Sequence, residues 1–256
     1  MPKKILESIS FALVNFNTKH LLKNILSPLE EYGEKNEIKL NFFLFNNSPK
    51  ENLSDLVGKY NFINLNIFKS KKNLGYAPAI QSVIEKVNTN YILLINPDCK
   101  FSFSQLEEFF NKLNNYPEPF SAAVCDITLG KNDKLYYSGI ATITENWKIA
   151  YNRNSTGWKF ACGAFILYHL PTLKKIGSID KSYVMYFEDA DISLRLQING
   201  YKLISVSLKK PIEHFVGYTS QTFLKKLKVK YYFYRNLFRL RKRFKKFKKI
   251  KNIDYI

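Results

Sequence analysis

Cysteine is scarce in this chain of 256 residues: Cys99, Cys125 and Cys162 form no CxxC pair and are odd in number. That excludes a disulfide framework and a cysteine-built zinc site, and it fits a reducing compartment. Long apolar runs are missing too. The longest weakly polar stretch, residues 161–170, is about half of the roughly 20 residues a membrane span requires. Lys3 and Lys4 precede an apolar run, but Glu7 and Ser8 interrupt it and no small-residue cleavage site follows, so no cleaved leader is expected. No Ser, His and Asp set with nucleophile-elbow spacing appears, which disfavours that class of hydrolase. Neither GxGxxG nor a P-loop is present.

Acid is also in short supply. Lys and Arg total 40 against 21 Asp and Glu, for a formal charge of +19. Residues 221–256 hold 14 of the basic residues and one acid, Asp254, a balance of +13. The basicity therefore belongs mostly to a C-terminal appendage. What is abundant is core material, with 46% hydrophobic and 16% aromatic residues, enough for one large domain.

Residues 8–14, 39–45, 62–68 and 91–95 are short β-branched or aromatic runs, and 19–32 and 77–87 are longer amphipathic ones. That alternation predicts an α/β fold with an open, mostly parallel sheet covered by helices. Ligands of such sheets collect beyond the carboxyl ends of the strands. There the sequence is rich in amides: Asn15, Phe16 and Asn17 after the first run, Asn46, Asn47 and Ser48 after the second, and Asn96, Pro97 and Asp98 after the fourth. From 125 to 160 the helical period is lost and hairpin-like pieces are expected. A helix follows Glu188, Asp189 and Asp191 and ends at Asn199 and Gly200.

Four places could carry chemistry. Asp98, at the mouth of a buried strand, could give a divalent cation one oxygen ligand, although Asn, Pro and Asp also simply make turns. Three acids within residues 188–191 exceed what a helix cap needs. A displacement at a sugar carbon requires one carboxylate to take the proton from the incoming hydroxyl. Asp191 pairs most economically with Arg195 at i, i+4, leaving Glu188 and Asp189 free to face a cleft. Gly75 in KKNLGYAPAIQSVI opens a helix whose amides could approach a phosphate. His214, alone, reads more readily as a structural histidine than as a ligand.

In this order the motifs resemble glycosyltransferase family 2 with the GT-A fold, a Rossmann-like sheet flanked by helices. The likeness is strongest to the rhamnosyltransferase-like branch of bacterial surface-polysaccharide enzymes. VNFN at 14–17, FNNS at 45–48, NLGYA at 73–77, LLINPD at 93–98, CGAFILYHLPTLKKIGSID at 162–180, MYFEDADISLRLQINGYK at 185–202 and HFVGYTS at 214–220 carry it. The resemblance implies an inverting transfer from a nucleotide diphosphate sugar to a glycan or lipid-linked glycan, of lipopolysaccharide, lipooligosaccharide or capsule type. It implies that Phe16, Asn17 and Asn46 line the base pocket and that Asn73 and Gly75 lie near ribose and diphosphate. Asn96 and Asp98 fall on the family's DxD motif, and Asp98 with His214 would hold Mn2+ or Mg2+. Asp189 would be the general base, with Glu188 beside it. Asn96 replaces the motif's first acid, and Asn46 stands where many members carry Asp. The competing enzyme class is a GT-A nucleotidyltransferase, disfavoured because its Gly-rich, Lys-containing N-terminal loop has no counterpart here.

The expected division is a GT-A domain, 1–220, and a basic amphipathic tail, 221–256. Phe223, Leu227, Tyr231, Tyr234, Leu237, Leu240, Phe244, Phe247 and Ile250 repeat at helical spacing among lysines and arginines, the composition of an interfacial membrane helix. Association with the anionic cytoplasmic face of the membrane is the expectation. The alternative is nucleic-acid binding, for which the first 220 residues offer no motif, so no specific nucleic-acid partner is expected.

Overall fold

The computed structural model describes residues 5–130, 135–215, 223–245 and 253–255. Strand and helix alternate first: β1 (Ile9–Asn15), α1 (Lys23–Lys35), β2 (Leu40–Asn46), β3 (Ile63–Lys69), α2 (Tyr76–Ile84), β4 (Tyr91–Ile95), β5 (Cys99–Lys100) and α3 (Phe103–Asn114). Short strands follow: β6 (Ala122–Cys125), β7 (Ile127–Leu129), β8 (Leu135–Tyr137), β9 (Ile140–Ile143), β10 (Ile149–Ala150), β11 (Trp158–Ala161) and β12 (Phe165–His169). The chain continues through α4 (Leu170–Lys175), α5 (Glu188–Ile198), β13 (Leu203–Val206), β14 (Ile212–His214), α6 (Phe223–Phe244) and β15 (Ile253–Tyr255).

The main sheet has eight strands in the order β15-β13-β6-β12-β4-β1-β2-β3. Within it β12 runs antiparallel to both its neighbours, and the other pairings are parallel. Every residue of β1 is buried, because helices cover both faces of the sheet, which is why the strand reads as a continuous apolar run. Alternate side chains go to opposite cores. Phe11 and Leu13 pack with Leu26 and Leu29 of α1 and Phe109 and Phe110 of α3. Ala12 and Val14 pack with Ile80 and Val83 of α2 and Ile192 and Leu194 of α5. A four-stranded sheet, β5-β14-β7-β8, and a three-stranded one, β10-β9-β11, complete the fold. The latter two account for the hairpin-like stretch.

Beyond residue 220 the chain is not set apart from what precedes it. Leu237, Leu240 and Phe244 of α6 belong to the same core as α2 and α5. Phe244, expected to face lipid, is 2% exposed, because a protein surface already covers that side of the helix. The tail is also not helical throughout. β15 extends the main sheet beside β13, and Asp254 accepts hydrogen bonds from the Tyr116 hydroxyl at 2.5 Å and from Lys202 Nζ at 3.0 Å. Phe247, Ile250 and residues 216–222 lie outside the described residues.

Candidate active site

Asn15 and Asn46, the last residues of β1 and β2, stand opposite one another in register. Asn15 Nδ2 donates to Asn46 Oδ1 at 3.2 Å and to Glu51 Oε2 at 2.6 Å, and Asn46 Nδ2 donates to the Glu51 carbonyl at 2.8 Å. Asn46 is buried, so its amide is spent on shaping the loop after β2. Asn17, exposed and in the left-handed region at φ 58°, accepts at Oδ1 from Ser48 Oγ at 2.9 Å, and its backbone N–H donates to the same oxygen at 2.6 Å. Phe16 beside it is half-buried. A third loop joins through Asn47, whose Nδ2 donates to Asn73 Oδ1 at 2.9 Å and the Gly75 carbonyl at 3.1 Å. The side chains that made these loops look like ligand contacts also lock them to one another.

Gly75 connects this shelf to the acidic segment. Its φ is +86°, and a Cβ there would lie 2.4 Å from Val184 Cγ1 and 2.6 Å from the Val184 carbonyl oxygen. The next N–H, of Tyr76, donates to that carbonyl at 2.7 Å. A side chain is excluded twice, by backbone conformation and by space.

Asp98 and His214 meet because β14 pairs antiparallel with β5, setting His214 opposite Cys99. The Phe215 N–H donates to the Asp98 carbonyl at 2.9 Å, and His214 Nε2 lies 3.2 Å from Asp98 Oδ1. His214 Nδ1 is buried with no partner. A carboxylate oxygen and an imidazole nitrogen converging on one point suit a divalent cation such as Mn2+. No group of three or more His, Cys, Asp and Glu that could hold a metal ion occurs among the described residues; a diphosphate and water would complete the shell of a cation held by Asp98 and His214. Asn96 is half-buried, and its N–H is tied to the Ala164 carbonyl at 2.8 Å.

The acids stand at the start of α5 after two strained residues. Tyr186 and Phe187 both have φ +67°, a conformation that costs on the order of 1 kcal/mol or more for each such residue. Asp189 Oδ2 accepts from the Gly163 N–H at 2.8 Å and Oδ1 from the Ala190 N–H at 2.7 Å. Glu188 Oε2 is shielded from solvent and has no partner. Burial, and then the neighbouring Asp189, pushes the Glu188 carboxyl well above its ordinary range. Burial raises Asp189 also, while the N–H groups of Gly163 and Ala190 pull it back. Asp191 points the other way, into the protein, where it pairs with Arg195 Nε at 2.7 Å and Arg243 Nη1 at 2.8 Å.

Two aromatic residues link these groups. Burial raises the Tyr76 phenol, and Glu188 and Asp189 add to the effect. For Tyr186 the same order holds, burial, then Glu188, then Asp98, so both acid positions act on one ring. Tyr76 and Gly163 were not singled out from the sequence, although each sits inside a motif that was. Asn236, which reaches the acidic segment from α6, carried no signal beyond being a neutral amide in a basic helix. A groove of about 920 Å³ along α3 is lined by none of these residues.

An open α/β sheet with paired loops at its carboxyl edge, an Asp–His pair and two half-buried acids defines a GT-A-like fold and a candidate transferase site. The chain belongs to glycosyl transferase family 2, whose family model matches residues 10–177. The acids of α5 and His214 lie past that match. Similar solved structures include S. aureus TarS 1–349, with 14% identity and TM-score 0.59 over 81% of this chain and 60% of that one. GalNAc-T7 with UDP, GalNAc and Mn2+ has 12% identity and TM-score 0.62 over 92% of this chain and 47% of that one. The mannosyltransferase PcManGT from Pyrobaculum calidifontis, in complex with GDP-Man and Mn2+, has 10% identity and TM-score 0.53 over 83% and 58%. This chain thus spans about half to three-fifths of those proteins. No curated protein sequence matches it.

Proposed function

We propose that this protein is an inverting glycosyltransferase that moves a hexosyl or deoxyhexosyl unit from a nucleotide diphosphate sugar to a glycan hydroxyl. The carrying observation is the meeting of Asp98 with His214 at 3.2 Å, beside a helix start whose two half-buried acids are both raised above their ordinary range. Asp189 takes the proton of the acceptor hydroxyl as its oxygen bonds to the anomeric carbon. The bond from that carbon to the diphosphate oxygen breaks, and its electron pair leaves with the nucleoside diphosphate. A carboxyl raised toward working pH is a better base than an ordinary one. Asp98 and His214 would hold the divalent cation, which when bound neutralises the charge of the diphosphate. Glu188 lies on the acceptor side, and Phe16, Asn17, Asn46, Asn73, Gly75 and Asn96 form the donor shelf.

Structures similar in fold support a sugar donor of this kind, since TarS has been seen with UDP-GlcNAc and PcManGT with GDP-Man. The motif resemblance favours a bacterial surface glycan as product and the rhamnosyltransferase-like branch. The test is a thermal-shift panel of UDP-, GDP- and dTDP-sugars with and without Mn2+. A donor present at about 100 times its Kd stabilises the fold by about 2.7 kcal/mol. A panel with no shift at all would refute the donor class, and equal shifts in EDTA would refute the cation.

A second feature supports our reading that the enzyme works at the cytoplasmic face of a membrane. α6 leaves a stripe in the open, from Leu227 at 48% exposed through Tyr231 and Tyr234 to Phe238 at 68%. The steps of four, three and four put these side chains on one face, and exposed Lys228, Lys230, Arg239 and Lys242 flank it. Aromatic and cationic side chains so arranged suit an anionic headgroup layer. Among the described residues no helix is long and apolar enough to cross a membrane.

A further inference from the structure

Asn236 sits in the middle of α6 and is 0% exposed. Its Nδ2 donates to two successive carbonyls, Met185 at 2.7 Å and Tyr186 at 3.1 Å. Its Oδ1 accepts from Arg235 Nε and Nη2 at 3.0 and 2.9 Å, and that Nη2 also donates to the Ser182 carbonyl at 2.9 Å. One turn back, the Phe233 ring packs 5.0 Å from Phe187 and 6.3 Å from Tyr186, centroid to centroid.

These contacts fall on the peptide units that enter and leave Tyr186. They orient the backbone where two consecutive non-glycine residues are left-handed, a state that persists only when its surroundings over-determine it. The direction in which residues 186–187 leave that bend decides where Glu188 and Asp189 emerge. A relaxation there would move Asp189 relative to Gly163 while leaving β1, β2 and the donor shelf in place.

We infer that Asn236 is a positioning residue for the transfer reaction. It acts from α6 by fixing the two peptide units ahead of the acids, and it touches no reacting atom. The inference rests on the reading of Asp189 as the base. Asn236→Asp keeps the size and removes both amide hydrogens, setting a carboxylate against two carbonyls. Asn236→Ser keeps one shorter donor.

The test uses the full chain and the nucleotide sugar giving the largest shift in the panel above, following nucleoside diphosphate release, with Asp189→Asn run in parallel. Asn236→Asp should lower kcat about ten- to hundred-fold with donor KM unchanged within about twofold, and Asn236→Ser should fall between. Hydrogen exchange should quicken over residues 185–191 and not in β1 or β4. Full kcat in both Asn236 variants alongside an inactive Asp189→Asn overturns the positioning role and leaves the base standing. Normal turnover by Asp189→Asn removes the base, and the inference with it. Equal losses of kcat, donor affinity and thermal stability would make Asn236 merely structural. If Asn236→Asp does not fold, the serine variant decides by the same split.

Discussion

Glu188 shows what an acid with one shielded, unpartnered oxygen costs. Its folded pKa is raised by burial and by Asp189, so the folded state holds its proton over a pH range in which the unfolded chain has released it. Stability from this group is therefore complete below the ordinary carboxyl range and is lost as pH rises through the folded value. Glu188→Gln should raise Tm by about 2 to 4 °C near pH 8, for a change on the order of 1 kcal/mol, with the gain vanishing at about pH 4. Calorimetry at the two pH values checks this, and an equal gain at both would contradict it. Gly163 is the second residue whose role is narrow. A Cβ there would lie 3.2 Å from both Cβ and Oδ2 of Asp189, tight enough that one side must shift by a few tenths of an ångström. Gly163→Ala should cut turnover at least tenfold with little effect on Mn2+-dependent nucleotide binding, as kinetics beside calorimetric titration would show. Neither effect can be read from the string of letters, since each depends on what lies across a gap between segments distant in sequence.

At the scale of elements, α6 departs furthest from its reading in the sequence. Its apolar positions do repeat at helical spacing, yet two stripes are interleaved in that repeat. Leu237, Leu240 and Phe244 enter the core, and Leu227, Tyr231, Tyr234 and Phe238 stay outside. Periodicity reports that a face is apolar and is silent on what covers it, which is why a docked helix and a lipid-facing one look alike in sequence. Burying three such side chains contributes on the order of 5 kcal/mol, a large part of the roughly 5 to 15 kcal/mol that holds a typical domain folded. A chain ended after residue 222 should consequently melt well below the full protein or remain insoluble. Tyr234→Ser with Phe238→Ser should leave Tm within about 2 °C yet weaken sedimentation with phosphatidylserine vesicles, even in high salt where the lysine contribution is screened. Unchanged vesicle binding by that pair, together with tight salt-sensitive RNA binding by the parent, would favour nucleic acid over lipid.

For the molecule as a whole, the strand and helix alternation of the first 100 residues was legible because β1 and β4 are buried on both faces and α1 on one. The meeting of Asp98 with His214 was legible only through the resemblance, because two short strands, β5 and β14, bring them together by pairing antiparallel. His214→Ala should weaken Mn2+-dependent nucleotide binding and Asp98→Ala should abolish it. Isothermal titration with UDP and GDP in the presence and absence of Mn2+ would settle both.

The place of β15 in the sheet bears on how the protein is made. β13 lies between β6 and β15, and β15 is the last of the described segments to leave the ribosome. Until it arrives, the outer row of N–H and C=O groups on β13 has no partner, while the rest of the sheet has all it needs to collapse. An unpaired strand edge on a nearly finished sheet is a template for joining another chain. Aggregation of nascent or carboxyl-terminally clipped protein should begin at β13, and a soluble peptide carrying residues 253–255 would compete with it.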